Sequence, residues 1–189
     1  SSSPSATRQP RSAPTPSTPP RVAVGPEQAQ LVWFDREGTE LGRVGQPADY
    51  GDVSLSPDGT RVAASVRERG SAAADIWVFD VASGMGARVT SDPADDIAPV
   101  WSPDGRRILF ASSRGGSHDI YEKAVGGTGN EVAVIDPQGD QIANDWSSNG
   151  RYLVYQTNQP GVIAGGNLDL WARNLSGGRP FAFLRTVHA

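Results

Sequence analysis

Residues 102–114 read SPDGRRILFASSR, and this stretch decides the fold. A close copy, SPDGTRVAASV, lies at 56–66, and a degenerate one, SSNGRYLVYQ, at 147–156. In S-P-D-G the proline presets φ, the aspartate bonds to the local backbone and the glycine accepts a left-handed conformation. The motif therefore predicts a tight hairpin between two short strands. The strands that follow, RILFAS among them, are apolar almost throughout, as befits strands buried on both faces.

The turn serines Ser56, Ser102 and Ser147 recur with a period in the range of about 40–50 residues that four-stranded propeller blades show. Other features keep the same phase. DIWVFD at 75–80, DIYEKA at 119–124 and DLWARN at 169–174 predict a third strand in each unit. Leu55, Trp101 and Trp146 directly precede the turn, and Asp49, Asp95 and Asp140 stand six residues before those. ARVTS at 87–91 reads as a short, polar outer strand. No segment has a useful length of helical periodicity, so the predicted class is all-β.

LVWFDREGTELGRVG at 31–45 aligns with IWVFDVASGMGARVT at 76–90, with Leu31 on Ile76 and Asp35 on Asp80. It reads as the back half of a blade. With units at 49–90, 95–135 and 140–186, the pattern predicts a partial propeller of about three and a half blades within a domain spanning 27–189. Propellers close with about 4–8 blades, and each blade buries its faces only against neighbours. The expectation is a piece of a longer chain that exposes an apolar edge.

Residues 1–26 hold 7 of the 15 prolines, and their only aliphatics larger than alanine are Val22 and Val24. Such a segment cannot offset its ordering entropy by burial and predicts a disordered Ser/Pro-rich linker. It carries three of the 17 Lys/Arg and none of the 21 Asp/Glu, so the tail is +3 and the remainder −7. An acidic domain behind a weakly basic tether argues against nucleic acid as a partner. The absence of cysteine excludes disulfides and thiolate metal sites. No apolar run approaches the roughly 18 residues of a membrane span, so a membrane would be reached only through a further segment.

The stretch from LSPDGTRVAASV through DIWVFD, RVTSDPADDIAPVWSPDGRRILFASSRGG and DIY resembles the TolB-type, WD-repeat-like β-propeller over about residues 30–186. LVWFDREGTELGRVG and ADYGDVSLSPDG, behind the Ser/Pro-rich tail, are most similar to propellers carried C-terminally by bacterial serine/threonine protein kinases. The third turn departs from the pattern, with Ser148 for proline and Asn149 for aspartate. The resemblance implies a sensing or binding role on the extracytoplasmic side of a membrane-anchored protein. No HRD, DFG or Gly-rich nucleotide loop in context occurs. Two other settings use such propellers: the gate of a prolyl-oligopeptidase-like peptidase, and a periplasmic TolB-like protein.

The residues themselves hold little chemistry. His118 and His188 are the only histidines, and no G-x-S-x-G elbow accompanies them. GGTGN at 126–130 lacks the lysine and helix of a P-loop. DPADD at 92–96 does not have EF-hand spacing, and RERG at 67–70 reads as a solvated hairpin tip. No catalytic residue, metal or cofactor is expected. Asp49, Asp95 and Asp140 each open an innermost strand near the channel mouth. They read either as a partial carboxylate ring for a cationic ligand or as caps on backbone N–H groups where blades join. Trp101, Trp146, Trp77, Tyr121 and Trp171 read as packing. The loops at 91–98, 136–143 and 157–167 are the candidate contacts for a protein or small ligand at one propeller face.

Overall fold

The structure is a computed structural model, and it describes residues 28–127, 129–135, 139–157 and 169–184. The predicted linker at 1–26, His188 and nearly all of the 157–167 loop lie outside the described residues. Strands β1 (Ala29–Phe34), β2 (Glu40–Leu55), β3 (Arg61–Arg67), β4 (Ala74–Asp80) and β5 (Gly86–Arg88) form one antiparallel sheet in chain order. A second follows as β6 (Asp96–Trp101), β7 (Arg107–Ser112), β8 (Asp119–Ala124) and β9 (Val132–Ala133). The third is β10 (Gln141–Trp146), β11 (Tyr152–Thr157), β12 (Asp169–Asn174) and β13 (Phe181–Leu184). The described residues are all-β, apart from a single 3₁₀ turn at Ser113–Gly115.

The repeated turn works as its chemistry requires. Ser56 donates its hydroxyl to Asp58 (2.6 Å), whose carboxylate also accepts the Thr60 N–H, while the Ser56 hydroxyl accepts the Arg61 N–H. These bonds hold the Asp58 carboxyl down at about 2. Ser102 and Asp104 repeat the arrangement. In the third copy the Asn149 side-chain oxygen replaces the carboxylate, accepting from Ser147 and from the Arg151 N–H. Gly59, Gly105 and Gly150 close the turns at φ of 71°, 64° and 71°, a region where a Cβ would be strained.

β2 carries the leading half-blade directly into the next unit as one 16-residue strand. Its first half pairs with β1 and its second with β3, giving a five-stranded sheet. Gly45, at φ 71°, lets the strand deform without a reversing turn. The outer strand expected at 87–91 lies at 86–88 instead.

Burial explains the near-continuous apolar strands. Successive side chains of a strand point to opposite faces. Ile108 and Phe110 of β7 join Ala63, Ile76 and Val78 of the first sheet, together with Trp101, in one core cluster. Leu109 points the other way and joins Ile120, Trp146, Leu153 and Tyr155 in the cluster shared with the third sheet. Val44, Ala64, Val66 and Phe79 form a third cluster within the first sheet. Tyr121 packs with the first of these clusters, Trp171 with the second and Trp77 with the third.

Polar ties cross the first junction too. The Trp101 indole donates to the Ser54 carbonyl (3.0 Å), and Arg61 lies 4.7 Å over the Trp101 ring while donating to the Gly105 carbonyl. Arg107 repeats the stacking over Trp146 at 4.9 Å. The position that these tryptophans share is filled in the first sheet by Leu55, which is 46% exposed against 5% for each tryptophan. No described sheet covers Leu55. Phe110→Ala should therefore cost about 3–5 kcal/mol in urea unfolding, whereas Leu55→Ala should stay within about 0.5 kcal/mol. Equal losses would contradict this account of the junctions.

Candidate functional site

The second half of β2, together with β6 and β10, is the inner strand of its sheet, and each carries an irregular pairing. The register shifts between Tyr50 and Val53, between Ile97 and Val100, and between Ala143 and Asp145. Bulges of this kind bend a strand and re-aim its side chains. The three strands line one open groove of about 730 Å³.

The groove floor is built on strands and carries one sign of charge. Among the described residues Asp52 and Asp145 are its ionisable side chains, accompanied by the polar Asn144 and Gln156, and no Lys, Arg or His lines it. Ala98 sits at φ 52°, an unusual conformation for a residue with a Cβ. Its N–H donates to Asp52 from the neighbouring sheet at 3.2 Å, which ties the strained bulge across the junction.

Asp49, Asp95 and Asp140 do not line this groove. The Asp95 carboxylate accepts the Ala74 N–H at 2.7 Å, binding the start of β4 to the approach of β6. Arg67 stands between Asp49 (3.6 Å) and Asp95 (3.4 Å), so those two share one guanidinium. Asp140 accepts the His118 N–H at 3.0 Å at the next junction, and its carboxylate lies 3.7 Å from the His118 Nδ1.

In DPADD, Asp92 accepts the Ala94 N–H, Asp95 caps β4, and Asp96 is fully buried. Burial pushes the Asp96 carboxyl up, against the hydroxyls of Ser112 and Thr90 and the Arg114 guanidinium. Glu131 is also desolvated, yet Arg114 and Lys123 hold it below the usual carboxylate range. Among the described residues no group of three or more His, Cys, Asp or Glu side chains could hold a metal ion. Thr128, inside the GGTGN turn, and residues 136–138 of the candidate loop lie outside the described residues.

Sequence reasoning missed Asp52 and Asp145. Both lie inside inner strands rather than in loops, and the bulges that aim them have no simple residue signature. Asp52 is the nearer to legible, because it precedes the repeat position of Leu55 by only three residues and breaks the apolar pattern. The third-strand aspartates are the other surprise: Asp75, Asp119 and Asp169 are all buried.

The TolB beta propeller domain model, PD40, matches residues 44–177. The chain belongs to this family. The Tol-Pal system protein TolB of Anaeromyxobacter dehalogenans is 44% identical over 77 residues, which are 40% of this chain and 16% of that protein. The chain thus matches only a small part of that relative's length. The crystal structure of TolB from Acinetobacter baumannii superposes with a TM-score of 0.64 at 21% identity, over 78% of this chain and 35% of that one. A prolyl endopeptidase structure gives 0.62 at 20% identity, over 85% of this chain and 27% of its own. These two likenesses are of fold alone.

For this TolB-type propeller, the Asp95 cap has a direct consequence. Asp95→Ala leaves the Ala74 N–H without its acceptor and should lower stability by about 1–2 kcal/mol in urea unfolding, with faster amide exchange at the start of β4. Unchanged exchange at Ala74 would contradict the capping role.

Proposed function

We propose that this propeller is a non-catalytic recognition module that takes a basic protein segment, or a peptide with a free amine, along the groove between its inner strands. The observation that carries the reading is the groove's charge: Asp52 and Asp145 stand on a strand-built floor that, among the described residues, has no Lys, Arg or His in its lining. A preformed site loses little ordering entropy on binding, and a concave surface of one sign concentrates the opposite charge. Asp49 and Asp95 share the Arg67 guanidinium and Asp140 caps the His118 N–H, so these three serve the junctions and the groove's own carboxylates carry the reading.

The wider setting is part of the same proposal. The Ser/Pro-rich tail, with the stretches 31–45 and 48–59, supports a place C-terminal to a serine/threonine kinase domain in a bacterial protein, the propeller lying on the extracytoplasmic side. On that reading the propeller senses and catalysis belongs to another domain. A peptidase gate and a periplasmic TolB-like protein are the alternatives, and the flanking coding sequence separates the three: HRD and DFG upstream for the kinase, G-x-S-x-G downstream for the peptidase, and a signal peptide with no further domain for the TolB-like protein.

Binding is tested by fluorescence anisotropy with a labelled Arg-rich hexapeptide with a free N-terminus, against an N-acetylated Glu-substituted control. The intact chain should bind the first peptide, more weakly as salt rises. Asp52→Asn combined with Asp145→Asn should weaken it about tenfold, roughly 1.4 kcal/mol. Equal binding of both peptides, or of both proteins, would overturn the reading.

A further inference from the structure

The two junctions between sheets treat the same buried carboxylate differently. At the first, Asp75 opens β4 and receives the Arg88 guanidinium at 2.5 Å. The Thr90 hydroxyl, also buried, lies 3.4 Å from Asp75 and accepts the Ile76 N–H. Register identifies the counterparts at the second junction. Arg88 pairs with Trp77 as Ala133 pairs with Tyr121, so alanine replaces the arginine. Val89 donates to the Ile76 carbonyl as Val134 donates to that of Ile120, so the next residue, Ile135, replaces Thr90.

Asp119 is thereby left with neither partner. It is only 4% exposed, and its Oδ1 is buried with no hydrogen-bond partner among the described residues. Among the described residues the groups around it do not neutralise it. His118 precedes it in the loop, with a buried Nε2 that also lacks a partner among those residues, and Asp140 approaches from the start of β10. Ser112, paired with Asp119 across β7, accepts from Arg114, which is itself engaged with Asp96 and Glu131. On β8 itself, Glu122 pairs with Arg107 and Lys123 with Glu131. Ala133 and Ile135, on the β9 side, do not titrate.

We propose that the junction between the second and third sheets is a pH-responsive joint, firm while Asp119 is protonated and looser once it ionises. A buried carboxyl without a charge partner resists ionisation, because the charged form loses water and gains nothing in return. Burial pushes the Asp119 carboxyl up, Asp140 adds to the rise, and His118 opposes it. With the folded value above the unfolded one, the folded chain holds the extra proton between the two. The contribution is present below the unfolded value and is lost as pH rises through the folded one. The turn carboxylates and Glu131, whose values are lowered, act in the opposite sense, so a local measurement is needed rather than a melting temperature.

The experiment is hydrogen exchange on the intact chain between pH 4 and pH 7, read as protection factors at β8 and β10 after correction for intrinsic rates. Protection there should fall as pH rises, by about tenfold for each unit by which the folded value exceeds the unfolded one. Asp119→Asn should abolish the dependence, and Ile135→Thr, which restores the missing hydroxyl, should reduce it. The same dependence in the Asn variant would overturn the proposal. A carboxyl-carbon NMR titration of the wild-type chain decides independently of how the variants fold. A midpoint clearly above the usual aspartate value of about 3.9 supports the joint, and one at or below it refutes it.

Discussion

Every sheet here must have its apolar faces covered by the next. That requirement dominates because the strands next to the inner ones carry large side chains on both sides, with Ile108 and Phe110 on one face of β7 and Leu109 on the other. A lone four-stranded sheet of this composition would present two oily surfaces to water, at roughly 25 cal/mol per Å² of apolar area. Stacking removes them, and it does so only at junctions. The fold is therefore a chain of interfaces rather than a body with one central core.

The junctions also explain the polar residues. A backbone N–H at a strand start has no ladder partner of its own, and Asp95 and Asp140 supply an acceptor from the adjoining unit. Arg61 and Arg107 cover the tryptophan of the next unit with a cationic plane and an aliphatic stem. These contacts orient neighbouring sheets, and by doing so they bring three inner strands around one groove. Its charge then follows from Asp52, in the bulge of β2 and bound by the Ala98 N–H across the junction, and from Asp145, directly after the bulge of β10.

Much of this was legible in the residues. The S-P-D-G turns, the third-strand motif and the tryptophans fell in register, and period and phase together specify sheets of similar build. Even the third turn was readable, since Asn149 offers the same acceptor as the aspartates of the other two. The unbroken passage from the leading half-blade into the next unit was not, because nothing in the Gly-Gln-Pro run signals that β2 stays extended there. The groove was hidden for a related reason. A bulge moves a side chain from one face to another without changing the local composition, so Asp52 and Asp145 looked like ordinary strand polar positions. Asp119 was hidden differently. Its identity matches Asp75, and only the pairing register reveals that Ala133 and Ile135 stand where Arg88 and Thr90 should serve it.

The central claim is that sheets are stabilised across their junctions and not each by itself. A double-mutant cycle tests it most directly, with Leu109→Ala in the second sheet and Leu153→Ala in the third, both measured by urea unfolding. The account predicts a coupling of about 0.5–3 kcal/mol between the two substitutions, as for residues that share one packed cluster. Losses that add to within about 0.3 kcal/mol would mean that the two sheets are energetically independent, and would contradict it.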